Sequence, residues 1–288
     1  MGVFYPHFSF KMIDLKQITK DIRSYITEYQ LKNELTFIED THTYSILKDG
    51  GLFSDFPSVS KVIKNYYIPF DDVTKAKELS NGDIEKEKQL LKEWKESGDY
   101  ATNMGSRVHY ELEKYLVSLY GDYKEVRKPI FNCDTKQIIF GNKMIEGGKK
   151  YIDLMHKRGA VLLDTETILG NVELGYFGQP DKLWLIENKG KVGLVITDWK
   201  TNQLKNFEVK PYNKPMLEPF TYLFDTALGK YKIQLPLYGK LFLKMLENSK
   251  FKKLKLFGCV IVRVTDMGGY DEYKVEKKVI NDVMSLKF

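Results

Sequence analysis

The chain is poor in the residues that define several large classes of protein. Its 288 residues include only two cysteines, Cys133 and Cys259, and four histidines, His7, His42, His109 and His156. Two thiols cannot build a four-thiolate zinc or iron–sulfur site, nor a disulfide framework, so no iron–sulfur cluster and a reducing, cytoplasmic setting are expected. His109-Tyr110-Glu111-Leu112-Glu113 lacks the second imidazole of a zinc-protease helix, and the glycine patterns of nucleophile elbows and phosphate loops are missing as well. No apolar run approaches the roughly 18 residues that a membrane span needs, so no membrane partner is expected. Residues 1–11 have neither the charged start nor the apolar middle of a secretory signal, and Pro6 breaks the myristoylation pattern that Gly2 would open.

What is present suits a large buried core. Hydrophobic residues make up 43% and aromatics 14%, and the net charge of +6 permits a polyanionic partner without demanding one. The lysine cluster Lys250, Lys252, Lys253 and Lys255 reads equally as a solvated face or as a phosphate track.

Apolar periodicity predicts a helix over 12–34, strands over 35–53 around a Gly50-Gly51 turn, and a short helix after Pro57-Ser58-Val59-Ser60. Residues 71–98, with interleaved Lys and Glu, suit an exposed helical excursion. A helix over Met104–Leu119 places Val108, Leu112 and Leu116 on one stripe, with His109 and Glu113 beside it and Gly105 one turn earlier. Further helices are predicted near 141–157 and from about Tyr231 to Asn248, with strands at Ala160–Leu169 (carrying Glu166), Leu254–Val264 and Tyr270–Lys278. Because Pro236 is tolerated only in a first turn, the helix of Gln234 and Tyr238 is expected to start close to Ile233. That would put both side chains at an N-terminal end able to hold a phosphate.

The most informative stretch is Gly178-Gln179-Pro180-Asp181 followed by Ile196-Thr197-Asp198-Trp199-Lys200-Thr201. Two apolar runs, separated by Glu187-Asn188-Lys189-Gly190-Lys191, read as a hairpin. If its turn is centred between Lys189 and Gly190, Asp181 and Asp198 face each other, with Cβ atoms about 4.5–5.5 Å apart. Alternation sends Lys200 to the same face as Asp198 and Trp199 to the other. Like charges opposed across a ladder destabilise it unless something compensates, and a hard divalent cation does so. Lys200 would then hold an attacking water or neutralise charge in a phosphoryl transition state.

The order of these pieces carries more than any one of them. Gly105-Ser106-Arg107-Val108-His109, then Glu166, then Gly178-Gln179-Pro180-Asp181, then Asp198-Trp199-Lys200-Thr201, then Gln234-Leu235-Pro236-Leu237-Tyr238 resembles the PD-(D/E)XK nuclease superfamily. Within it, the pattern is similar to the RecB-like branch of exonucleases, which includes phage nucleases and mitochondrial genome maintenance exonucleases. The resemblance covers roughly residues 101–265, and His42-x-Tyr44 with Pro57-Ser58-Val59-Ser60 extends it more weakly. It implies an α/β fold: a restriction-endonuclease-like core with a mixed central sheet flanked by helices (101–288), after a mostly helical N-terminal region (1–100) that shapes the path of DNA. It further implies Mg²⁺ or Mn²⁺ held by His109, Asp181, Asp198 and the carbonyl of Trp199, with Asp181, Asp198 and Lys200 catalytic. Glu166 and Glu113 would support the site, and Gln234, Tyr238 and Thr201 would contact DNA.

The function so implied is exonucleolytic hydrolysis of single-stranded or end-opened DNA in replication, recombination or repair, in a bacterial or phage-infected cell. A helicase or a single-strand annealing or binding protein is the expected protein partner. A structure- or site-selective endonuclease on the same core, or a non-catalytic DNA-binding or assembly module, is the alternative.

Overall fold

A computed structural model describes residues 14–38, 41, 43–54, 56–121, 124–208 and 213–288. His7 and the His42 of the weaker N-terminal motif lie outside these residues. The elements in chain order begin with α1 (Leu15–Lys32), β1 (Thr36–Ile38), β2 (Thr43–Lys48), β3 (Gly51–Phe53), α2 (Val59–Val62), α3 (Asp72–Ser80), α4 (Ile84–Tyr120) and α5 (Thr135–Lys157). They continue with β4 (Val161–Thr165), β5 (Leu169–Asn171), β6 (Tyr176–Gly178), β7 (Lys182–Asn188), β8 (Lys191–Lys200), α6 (Ala227–Met245), β9 (Lys255–Val264), β10 (Tyr270–Lys274) and α7 (Lys277–Ser285). The result is a mixed α/β architecture. Among the described residues no helix is long and apolar enough to cross a membrane.

The central sheet has the order β10-β9-β8-β7-β4, and only β8 and β9 run parallel. Strict alternation in β7 and β8 divides two cores. Leu183, Leu185, Leu194 and Ile196 face α6, where Ile233, Leu237, Leu241 and Met245 form the buried stripe expected of that helix. Trp184, Val195 and Trp199 face α4 and α5, packing with Val108, Leu112, Tyr151 and Ile152. Each fully buried large apolar side chain contributes about 1.5–3 kcal/mol, so a slip by one residue would exchange both faces at once.

The hairpin that carries this alternation closes in two residues. Asn188 pairs with Lys191, and the intervening Lys189 and Gly190 have φ of 52° and 73°. Positive φ at both positions is the primed turn whose twist matches the flanking strands. Glu187 adds a lock by accepting the Gly190 N–H at 2.6 Å.

Helix ends obey local chemistry. Asp14, Asp83 and Thr226 each accept an amide of the first turn, and Asp134 with Gln137 forms a reciprocal capping box.

The edge strand β4 is covered by α1. Arg23 donates to the carbonyls of Leu163 (2.6 Å) and Leu162 (2.8 Å), where the pairing with β7 shifts between Leu162 and Asp164. An irregularity of this kind bends a strand and re-aims the residues beyond it. The first residue past the end of β4 is Glu166.

Several expected boundaries move. The helix of His109 begins at Ile84, not near Met104, because its first five turns are mostly exposed and carry only a short half-buried patch of Leu90, Leu91 and Trp94 among their charges. The border expected at residue 100 therefore falls inside α4, and α1, expected in the leading region, packs into the core through Ile22 and Ile26. The helix predicted from 141 starts at Thr135. Glu166 does not lie in a strand over Ala160–Leu169: β4 ends at Thr165, and β5 pairs with β6 in a separate hairpin. The strand expected to reach Lys278 ends at Lys274, because α7 starts at Lys277 and buries Val279 and Val283.

The largest correction concerns α6. It starts at Ala227 and contains Pro236 internally, so Gln234 and Tyr238 sit in mid-helix, away from the dipole's positive end. A proline ring forfeits one intrahelical hydrogen bond and crowds the preceding turn, but here Leu235, Pro236 and Leu237 are all buried in the packed interior.

Candidate active site

The open end of the β7–β8 hairpin, opposite its turn, gathers the charged residues. The ladder pairs Lys182 with Thr197, so Asp181 and Asp198 stand opposite each other one step beyond, in the register the sequence predicts. The Trp199 N–H donates to Asp181 Oδ2 at 2.8 Å and carries the contact past the last ladder pair. Asp198 is buried, and its Oδ2 lies 2.6 Å from the Lys200 ammonium. Asp198 Oδ1 has no hydrogen-bond partner despite its burial. The two aspartate carboxyls meet directly.

His109 enters from α4. Its Nδ1 is 3.3 Å from Asp181 Oδ2, and its ring also reaches the backbone of Trp199. Gly105, one turn earlier, brings α4 close to the end of β8: a Cβ there would stand 3.4 Å from Thr201 Oγ1. That places Thr201 at the helix–strand seam.

Glu166 arrives from the other side of Asp181. Its N–H donates to the Asp181 carbonyl at 3.2 Å, and its own carbonyl accepts Gln179 Nε2 at 3.0 Å. Between these anchors its backbone adopts φ of 45°, a left-handed conformation costing a non-glycine residue about 1–3 kcal/mol. His109, Glu166 and Asp181 each offer a ligand atom, and these atoms lie within 4.8 Å of one another. Glu166 thus joins the centre itself. Glu113 stands behind it, accepting the Thr165 hydroxyl at 2.7 Å and facing Lys124 at 3.3 Å.

Electrostatics divides the groups. Burial lowers His109 to about 4, so its imidazole is neutral near pH 7 and able to ligate a metal. Burial, followed by the charge of Asp181, pushes Asp198 up to about 8. Burial raises Glu166 well above the usual carboxylate range in the same way. Burial also works upward on Asp181, but the Lys182 ammonium and His109 outweigh it and hold that carboxyl well below its ordinary value. For Lys200 burial pulls downward, and Asp198 and Asp181 reverse it, so the ammonium is held charged.

A divalent cation fits this donor set. Hard oxygen donors with one neutral imidazole suit Mg²⁺ or Mn²⁺. The partnerless Asp198 Oδ1, pressed toward a second carboxyl, is the kind of buried acceptor that needs a cation or a proton.

Residues predicted to contact DNA are distributed unevenly. Tyr238 is buried, accepts Gln234 Nε2 at 2.8 Å, and packs so tightly on Gly178 that a Cβ there would lie 2.6 Å from its ring. The Gln234–Tyr238 pair therefore backs the carboxylates, outside the set of side chains that line the open cleft. That cleft, of about 650 Å³, is lined by Phe37, His109, Tyr110, Arg127, Glu166 and Gln179, among others. A second depression of about 850 Å³ shares Glu166 and Ile168 with it and extends toward Lys20 and Lys124.

Three participants had no sequence signal. Lys182 is buried with its ammonium 3.2 Å from Asp181 Oδ2 and 4.3 Å from the Trp199 ring centre. Tyr231 lies beneath Lys200, its ring centre 4.3 Å from that ammonium. Arg127 reaches the cleft from the α4–α5 connection. Only position beside Asp181 could have drawn attention to Lys182, and nothing in the sequence distinguishes a buried ammonium from an exposed one.

No protein-family model matches this chain, and no curated protein matches it.

Proposed function

We propose that this chain is a Mg²⁺- or Mn²⁺-dependent deoxyribonuclease on a restriction-endonuclease-like core of the PD-(D/E)XK type, acting as an exonuclease on single-stranded or end-opened DNA. The observation that carries the reading is the meeting of Asp181, Asp198 and Lys200 at one hairpin end with His109 and Glu166 beside them. Asp181, Asp198, Glu166 and His109 would hold the ion. When bound, such an ion activates water and stabilises charge on the scissile phosphate and the leaving oxygen.

The chain's own residues do the rest. Asp198 fixes the Lys200 ammonium at 2.6 Å, and the Tyr231 ring below it leaves the ammonium a defined direction in which to orient the attacking water. Held charged by its neighbours, Lys200 meets the negative charge that develops on phosphate oxygens. Arg127, with Lys20 further along, supplies salt-sensitive attraction for the phosphate backbone, and Tyr110 at the cleft wall offers an aromatic ring to an unstacked base. A base stacked in this way is worth about 1–3 kcal/mol, an interaction open to single strands and frayed ends.

Incubation of 5′- and 3′-labelled single and double strands with Mg²⁺, Mn²⁺ or EDTA tests the proposal. Metal-dependent shortening from ends is expected, with closed circular DNA left intact. Lys200→Ala should lower the rate at least ~100-fold while DNA binding stays within about threefold of wild type. Equal degradation by wild type and variant ends the proposal, and cutting of closed circles replaces the exonuclease with an endonuclease.

A further inference from the structure

Lys182 takes no part in the chemistry proposed above, yet it is among the most deeply enclosed cations of the chain, its side chain 3% exposed. Desolvating such an ammonium is unfavourable and must be offset by close pairing. Its partner is Asp181 Oδ2, at 3.2 Å, and the Trp199 ring closes its other side at 4.3 Å. The same carboxylate oxygen also receives the Trp199 N–H at 2.8 Å and faces His109 Nδ1 at 3.3 Å.

We propose that the site takes one divalent cation and that the Lys182 ammonium stands where a second would sit. The inference rests on the metal-dependent reading of the same site. Two-cation phosphoryl-transfer centres place their ions about 3.5–4 Å apart, and the ions share a carboxylate that uses both of its oxygens. Asp181 is the carboxylate that meets both Asp198 and Glu166, so it is the one available to bridge. Its Oδ2 is already surrounded by an ammonium, an amide and an imidazole. A single cation is then left to the Glu166 carboxylate and to Asp198 Oδ1, which is buried and has no donor, with the His109 imidazole near enough to ligate.

Charge leads to the same count. With the protons driven off, as binding of a cation requires, Glu166, Asp181 and Asp198 bring three negative charges, and Lys182 and Lys200 bring two positive ones. Glu113, behind them, is matched by Lys124. The remaining single negative charge becomes a single positive one with one divalent ion, which a phosphodiester neutralises. Two ions would leave a buried surplus that one phosphodiester cannot balance.

Titration of the full chain with Mn²⁺ tests this, using the electron paramagnetic resonance signal of free Mn²⁺ and calorimetric stoichiometry. Wild type should bind one ion per chain. Lys182→Gln should admit a second, seen as a stoichiometry of two and an exchange-coupled spectrum, and Lys182→Arg, which keeps the charge, should remain at one. Thermal unfolding establishes that each variant is folded, and the wild-type and arginine titrations decide the matter if the glutamine variant is not. Two ions in wild type would overturn the inference and leave the nuclease reading intact. One ion in both wild type and a folded Lys182→Gln would remove Lys182 from its role. No bound ion in folded wild type would instead remove the metal-dependent reading on which the inference stands.

Discussion

The two ends of the β7–β8 hairpin share one register and have opposite chemistry. At the turn, Lys189 and Gly190 are exposed, nothing lies within 4 Å of where a Gly190 side chain would begin, and the geometry is local. At the open end, Asp181, Lys182, Asp198 and Lys200 are largely enclosed, and their contacts reach into other elements: His109 of α4, Glu166 beyond β4, Tyr231 of α6. The turn specifies the pairing at little energetic cost. The far end uses that pairing to hold like charges together, which is unfavourable without a compensating ion. Pairing is thus specified at one end of the ladder, and the proposed chemistry belongs to the other.

The sharpest test of that division is Asp198→Ala. It removes the buried acceptor with no donor, and metal-dependent cleavage should fall by at least ~1,000-fold, with Mn²⁺ no longer raising the melting temperature. Retention of either property would erase the distinction between the ends.

Next in size is Gly178→Ala, just before the open end. The added methyl would lie 2.6 Å from the Tyr238 ring, within a packed interior. We expect about 1–3 kcal/mol of destabilisation, read as a lowered urea midpoint with an unchanged m-value.

A pH series separates the ends further. Asp198 is raised to about 8, so between its ordinary value and 8 the folded, metal-free protein binds more protons than the unfolded chain and loses stability as pH rises. Lowered to about 4, His109 acts in the opposite sense, but only below its ordinary value of 6.5. Glu166, raised by burial, acts in the same direction as Asp198, so from pH 6.5 to 8 stability should fall by at least about 1–2 kcal/mol, at about 1.4 kcal/mol per unit for each proton held. Saturating Mn²⁺ should stabilise more strongly as pH rises across that window, because its ligands must lose their protons. A flat profile in urea titrations would show that the open end carries no such strain.

The smallest effect belongs to the turn. Gly190→Ala forces a φ of 73° on a residue with a side chain, costing about 1 kcal/mol. Cleavage rate and Mn²⁺ stoichiometry should be unchanged.

Legibility divides along the same line. The hairpin could be read because alternation and a two-residue turn are both local signals, and together they fix which residues oppose. The facing of Asp198, Lys200 and Trp199 came from that alone. The rest depends on tertiary context. The arm of α4 over 84–103 carries only the short patch of Leu90, Leu91 and Trp94 among its charges, Pro236 reads as a helix start unless its surroundings are known, and Glu166 looks like a strand residue until the shifted pairing of β4 is seen. Lys182 was the least visible, since burial of an ammonium leaves no trace in the sequence.

The rod-like α4 has a mechanical consequence. Its 37 residues span about 55 Å at about 1.5 Å per residue, with the imidazole at roughly two-thirds of that length. The inner third is clamped through Val108, Leu112 and Leu116, and the outer half runs beside α3, with Trp94 against Phe70. One unbroken rod thus joins that outer segment to the point where His109 meets Asp181.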